Sequence, residues 1–458
     1  MKRMLKTPLA LIIGSALLVG CNSSDNTTDY KKEVAHDVKI ATYNLSFDRN
    51  TFEDLVAEMQ VTPAEQAKLV SDYLDKTIDD ADKTKAEKVI QIRNVAAVIQ
   101  KNRPDVLMMA EYNNDGTGEN KAALIGFQKN YLSVPQSIDG AGGEAKLEPI
   151  AYPYFDAYST NTGLVTDLDL DNNGTKGALP GDAWGFGFYH GQYAFALMSK
   201  YEIDKANTRT FQEFKWKDLE GATIPTITVC DGSKKIPDNM SCGDEWYTAE
   251  EWQQVRLSSK NHVDAPIIIP TEDGDQVIHL LMSHPTPPVF DTGKNKVQNA
   301  DEVKFWHDYV QGKDFFYDDA GKTGGLAKGT NFVIMGDLNL DPVDGDGISQ
   351  VMKDLHADPL LNQKVMNGDL YPSSNGAKEH AAEKPLDHPN PRHITSTFGL
   401  GVDYAMPSAT LNVVESGVYW ADSTEEGRKL FNDDRIGKYG NGKDVSSDHR
   451  MIWIKAEF

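Results

Sequence analysis

Cysteine is scarce, with 3 among 458 residues, so a disulfide-dense scaffold is excluded. Basic charge is also short. Lys and Arg number 46 against 69 Asp and Glu, which gives a formal net charge of -23. Such a surface offers no continuous phosphate-neutralising stripe, though a local basic pocket stays open. Beyond residue 19, no apolar run is long enough to cross a bilayer as a helix. Internal repeats, coiled-coil heptads and breaks in composition are missing too. What is present, 40% hydrophobic and 25% charged residues, is ordinary for a globular protein with a large core.

The N-terminus is a targeting segment. Lys2, Arg3 and Lys6 precede an apolar run, Leu9 to Val19, that is short for a membrane span. The run ends Leu17-Leu18-Val19-Gly20-Cys21, and Asn22 to Thr28 is polar. This junction resembles a bacterial lipoprotein signal. The resemblance implies cleavage before Cys21 and lipidation of that thiol. The protein would then be exported and held by a lipid anchor on the periplasmic side or at the cell surface. A plain secretory signal with an incidental cysteine is the alternative. Residues 1–20 are thus expected to be signal peptide, 21–36 a polar tether, and 37–458 the catalytic domain with long loop insertions. In an oxidising compartment Cys230 and Cys242 are a disulfide candidate. The loop between them carries Asp231, Gly232, Pro237 and Asn239, and the neighbourhood lacks the further ligands that zinc needs.

Hydrophobic patterning predicts strands at Val38–Leu45, Asp105–Tyr112, Tyr193–Ser199, Val277–Ser283, 332–335, Val402–Met406 and Met451–Phe458. Residues 51–102 read as helical. Thr62-Pro63-Ala64-Glu65 makes a helix start, and Val89, Ile92, Ala96 and Ile99 share a face. A further helix carries Val303, Phe305, Trp306 and Tyr309. Residues 113–185 read as long loops, 204–262 as an irregular insertion, and the chain after 339 as loop-rich again.

Strand after strand ends in a polar side chain able to do chemistry. The segments are Ala41-Thr42-Tyr43-Asn44; Pro104-Asp105-Val106 leading to Glu111; Ser283-His284-Pro285-Thr286-Pro287-Pro288; Gly336-Asp337-Leu338-Asn339; Val402-Asp403-Tyr404; and Ser447-Asp448-His449-Arg450. Singly, each is an ordinary turn or loop. In this order they resemble the endonuclease/exonuclease/phosphatase superfamily, with its deoxyribonuclease I-like fold. The resemblance implies an α/β fold: a four-layer α/β/β/α sandwich of two mixed β-sheets flanked by helices.

It also implies a phosphoester hydrolase that uses Mg²⁺ or Mn²⁺, a hard cation held by few carboxylates. Glu111 would be the main ligand, with Asn44 and Asp448 beside it. Asp337 would orient or deprotonate the attacking water, and Asn339 would bond the phosphate or the nucleophile. His449, oriented by Asp403, would contact the phosphoryl group, and His284 would stabilise or protonate the leaving oxygen. The substrate is a phosphoester, with nucleic acid, other phosphodiesters and small phosphomonoesters all open; no protein partner is implied. A binding lipoprotein that keeps the fold without catalysis is the reading from another class.

Two features stand apart. Arg256 and Lys260, with Ser259 and His262, form a local basic cluster that would meet an anionic substrate or would simply be a surface face. The acidic stretch from Asp167 to Gly174 is either a structural Ca²⁺ loop or a solvated loop, and it lacks the EF-hand glutamate. Asp341, Asp344 and Asp346 raise the same question.

Overall fold

Strand β1 (Asp37–Phe47) is buried on both faces. Side chains alternate across a strand, so Val38 and Ile40 enter one core while Ala41, Tyr43, Leu45 and Phe47 enter another. The first core lies between two sheets, the second between a sheet and helices. The computed structural model describes residues 34–384, 386–436 and 442–458. Cys21, the signal segment and most of the tether lie outside them. Val34–Phe458 is one compact unit.

One sheet runs in the order β11 (Asn412–Tyr419), β12 (Met451–Glu457), β1, β2 (Val106–Tyr112), β4 (Ala196–Ser199), β3 (Tyr154–Ala157). The other runs β10 (Asp403–Pro407), β9 (Phe332–Asp337), β8 (Gly274–Ser283), β7 (His262–Thr271), β5 (Glu202–Ile203), with β6 (Arg209–Thr210) also on β7. Each sheet has one parallel pair, β1 with β2 and β8 with β9, and its other pairs are antiparallel. Parallel neighbours need a crossover, and helices supply it. The first crossover uses α1 (Phe52–Met59), α2 (Pro63–Leu74) and α3 (Asp80–Asn102). The shorter helices α4 (Ala122–Phe127) and α5 (Ala249–Trp252) lie in later loops, and α6 (Lys294–Val310) makes the second crossover. The chain is therefore an α/β sandwich of two mixed sheets with helices outside. Between the sheets, Thr42 Oγ1 on β1 donates to the Tyr404 carbonyl on β10 (2.7 Å).

Local chemistry explains the helix ends. Thr62 accepts from the Glu65 N–H ahead of Pro63 at the first position of α2. At the far end of α3, Arg103 takes a left-handed conformation before Pro104. Among the described residues no helix is long and apolar enough to cross a membrane.

Several elements depart from the hydrophobic pattern. β7 contains Pro266 and Pro270, which hide it; the Pro266 carbonyl accepts the Asp204 N–H (2.8 Å). The stretch after residue 339 holds α7 (Ser349–Ala357), α8 (Gln363–Met366), α9 (Asn375–Glu383) and β11, elements too short or too polar to announce themselves. The expected insertion over 204–262 is irregular apart from β6 and short helical turns. It carries the Cys230–Cys242 disulfide, with Cα atoms 5.8 Å apart. That loop is fastened to the segment after His284, where the N–H groups of Thr228 and Val229 both donate to the Thr292 carbonyl.

Candidate active site

β9 and β10 are antiparallel, and their register sets Asp337 directly opposite Asp403. That pairing places two buried carboxylates side by side where one strand ends and the next begins. His449 lies between them. Its Nδ1 is 2.9 Å from Asp403 Oδ2 and its Nε2 is 3.6 Å from Asp337 Oδ2. Thr395 Oγ1 also donates to Asp403 Oδ2 (2.7 Å). Burial opposes charge on His449, but Asp403 and Asp337 outweigh it and raise its pKa well above the ordinary value. The carboxylates on both sides thus favour the protonated form of this ring.

His284 follows the last residue of β8 and reaches the same oxygen, with Nε2 3.5 Å from Asp337 Oδ2. The approach depends on Gly336, where a Cβ would come within 1.9 Å of the Ser283 carbonyl. His284 is in the opposite state to His449. Burial first, then the charges of Lys260 and His449, hold its pKa well below the ordinary value. A neutral imidazole donates a hydrogen bond but is a poor proton donor.

Asp337 is tied at both oxygens. Oδ1 accepts the Asn339 N–H (3.0 Å), and Oδ2 accepts Asn44 Nδ2 (3.0 Å). Asn44 is reached because Thr42 and Asn44 fall on the face of β1 that looks into the inter-sheet space. Its amide oxygen accepts the Ser46 N–H (3.0 Å). β1 does not stop at Asn44 but kinks: Ser46 adopts φ 53° and the register against β2 shifts between Asn44 and Phe47. The kink turns the Ser46 hydroxyl onto Asp448 Oδ1 (2.5 Å), while Ser447 Oγ donates to the Asn44 carbonyl (2.6 Å). Glu111 and Asn339 also sit at positive φ, 53° and 52°. Non-glycine residues in this region carry strain that surrounding contacts must hold.

Glu111 has the most perturbed carboxyl of the group. Burial first, then the nearby Asp48 and Asp448, push its pKa up to about 8. Asp48 went unrecognised in the sequence because β1 was expected to end at Leu45. A buried carboxyl raised by burial and by neighbouring acids suits a hard divalent cation, which takes oxygen ligands. Asp337, Asp403 and His449 also bring ligand atoms within 4.8 Å of one another. A cation there would require His449 to give up its proton, because a histidine ligand is neutral.

The basic cluster divides. Arg256 donates to Asn161 Oδ1 (2.9 Å), meets Glu213 at 3.1 Å and lies over the Trp184 ring, so it braces loops and does not join Asp337 or His449. His262 is a core residue between Ser258 and the Glu302 carbonyl. Lys260 turns inward and is buried, with Nζ 3.3 Å from the Pro285 carbonyl. Asn339 Nδ2 donates to that same carbonyl (3.1 Å).

In the acidic loop, Asp169, Asp171 and Asp182 lie close together, and each accepts backbone N–H groups from the loop itself. Those bonds account for the geometry without an ion. Asp341 does similar work: it accepts the N–H groups of Val343, Asp344 and Gly401 and pairs with His388 at 3.0 Å. Asp344 and Asp346 are exposed.

Among solved structures, an endonuclease/exonuclease/phosphatase from Beutenbergia cavernae aligns over 93% of this chain and 72% of its own, at 13% identity and a TM-score of 0.42. A mannosyl-6-phosphatase from Bacteroides thetaiotaomicron aligns over 92% of this chain and 100% of its own, at 12% identity and a TM-score of 0.39. Truncated TDP2 from Caenorhabditis elegans aligns over 92% and 98%, at 11% identity and a TM-score of 0.37. No curated protein is matched. Residues 41–449 match the Endonuclease/Exonuclease/phosphatase family. The chain belongs to that family, whose members hydrolyse phosphoric ester bonds.

Proposed function

We propose that this protein is an exported, divalent-metal-dependent phosphoester hydrolase in which water attacks phosphorus in line. The observation that carries the reading is the convergence of His284, His449 and Asn44 on one oxygen, Asp337 Oδ2, near the Glu111 carboxyl.

Glu111, Asp48 and Asp448 are the residues that would hold the cation, with the Asn44 amide oxygen adjacent. Bound there, Mg²⁺ or Mn²⁺ supplies counter-charge to the phosphoryl oxygens and lowers the pKa of water. Asp337 acts on the water. Burial first, and then Asp403, push its pKa up to about 6, with His449 and Asn44 working the other way. A carboxylate there is a competent base near neutral pH. Asn44 and the Asn339 N–H fix its plane, so Oδ2 faces the reacting side. His449 keeps its Nε2–H for a phosphoryl oxygen, and Asp403 holds the ring. His284, being neutral, donates a hydrogen bond to the oxygen that gains charge. Asn339, whose amide also steadies the Pro285 carbonyl, has a second N–H for the phosphate.

Export and anchoring rest on residues 1–28, and the disulfide suits an oxidising compartment. Cys21→Ser should move the protein from the membrane to the soluble fraction. Catalysis is tested with chromogenic phosphoesters, with Mg²⁺ and then with chelator. Absence of turnover on every phosphoester with every divalent ion would end the reading.

A further inference from the structure

Lys260 is buried, yet it forms no ion pair among the described residues, and the one hydrogen bond its ammonium makes among them is the 3.3 Å contact to the Pro285 carbonyl. A buried ammonium normally has a carboxylate partner. The nearest candidate, Glu302 on α6, is already engaged. Its Oε1 accepts the Ser259 N–H (2.6 Å) and hydroxyl (2.8 Å), and its Oε2 accepts the Thr286 N–H (2.7 Å). Those three bonds staple the Ser259-Lys260 segment to the His284-Pro285-Thr286 segment. Lys260 Nζ is thereby held at the residue that follows His284; burial lowers its pKa, and the charges of Glu302, Asp337 and Glu111 work the other way.

The segments around Lys260 are tightly packed. Ser259, Lys260, His284 and Thr286 are all buried. Gly185 packs so tightly on this segment that a Cβ there would come within 1.8 Å of the Ser259 carbonyl. During in-line displacement the phosphorus carries three equatorial substituents. In a diester one of them is an ester oxygen bearing an organic group. In a monoester all three are charged oxygens. An ammonium without a carboxylate partner offers its charge to a third anionic oxygen and has no such attraction for a neutral ester oxygen.

We propose that Lys260 anchors a third charged phosphoryl oxygen, so that this site selects phosphate monoesters over diesters. Glu302 is a positioning residue that holds the lysine in place. The proposal rests on the phosphoester-hydrolase reading above and narrows it to one substrate class.

The test compares p-nitrophenyl phosphate with methyl p-nitrophenyl phosphate, both with Mg²⁺. The wild type should favour the monoester by about 10-fold or more in kcat/KM. Lys260→Met should cut the monoester rate by about 100-fold and the diester rate several-fold less. Lys260→Gln carries the same expectation should the methionine variant not fold. A wild type that prefers the diester, or equal losses on both esters, overturns the proposal. Calorimetric titration with inorganic phosphate in the presence of Mg²⁺ reads the anchor without turnover. Binding weakened about 10-fold or more in the variant supports the anchor, and unchanged or absent binding overturns it. Failure of both esters together with lysine-dependent phosphate binding would refute the hydrolase reading while leaving the anion site standing.

Discussion

Asp403 and Asp337 hold His449 between them, one at each ring nitrogen, at 2.9 and 3.6 Å. The two carboxylates are cross-strand partners in β9 and β10, so the spacing of the charged triad is the spacing of an antiparallel pair. Asp403→Asn keeps the shape and removes the charge that sustains the imidazolium. The expected loss is about 100-fold or more in kcat. Asp337→Ala and His449→Ala should each lose most activity while the far-ultraviolet dichroism stays unchanged. Near-normal turnover in any of the three would refute the assigned roles.

Glu111→Gln separates metal binding from folding. Without a cation, Glu111 is pushed up to about 8 by burial and its acidic neighbours, so an uncharged amide suits the empty protein as well as the acid does. The apo variant should melt at the wild-type temperature or above it. The upward Tm shift that Mg²⁺ produces in the wild type should largely vanish, since that shift follows RT ln(1 + [L]/Kd). An undiminished Mg²⁺ shift in Glu111→Gln would place the cation elsewhere.

A histidine outside the site should govern acid stability. Burial lowers the His262 pKa to about 3, although the hydrogen bond to the Glu302 carbonyl works the other way. In the unfolded chain a histidine titrates near 6.5. Between those values the unfolded state binds a proton and the folded state does not. The stability from this group is therefore full above pH 6.5 and falls as pH drops toward 3, by about 1.4 kcal/mol per unit once below 6. Urea midpoints at pH 7.5, 6 and 5 measure the slope. A His262→Phe variant that folds should show a shallower one, and an unchanged slope would assign the acid loss to other groups.

Opening the Cys230–Cys242 loop should cost at most roughly 3 kcal/mol, the chain-entropy value for a loop of this size. The loop is fastened at Thr292, past His284, so Cys230→Ser should loosen that segment as well. Hydrogen exchange at Thr228 and Val229 reports it: their amides should lose protection in the variant and keep it in the oxidised protein.

The buried strands were legible because each is a short apolar run; Asp337 closes β9 and His284 follows β8, whereas Asn44 lies inside β1 and His449 precedes β12, and it was the order of these residues, resembling a known family, that joined them. What the sequence hid was set by tertiary contacts. Arg256 and Lys260 look equivalent in one dimension. Only Glu302, some forty residues on and bonded to Ser259, decides that the lysine turns inward while the arginine braces Glu213. Asp48 was concealed by the kink at Ser46, which carries β1 past its apparent end. The charge states of the two histidines were also out of reach, since they depend on which carboxylates and which ammonium lie within a few ångströms after folding.

Gly336 shows how little material can set a reactive distance. β8 and β9 close to the separation that puts His284 3.5 Å from Asp337 because position 336 presents hydrogen where any other residue presents carbon. A single methyl group there would act as a shim between the strands and part the two side chains without touching either. The gauge of this active site is thus an empty volume, and substitutions that fill it should damage catalysis from a residue with no reactive atom of its own.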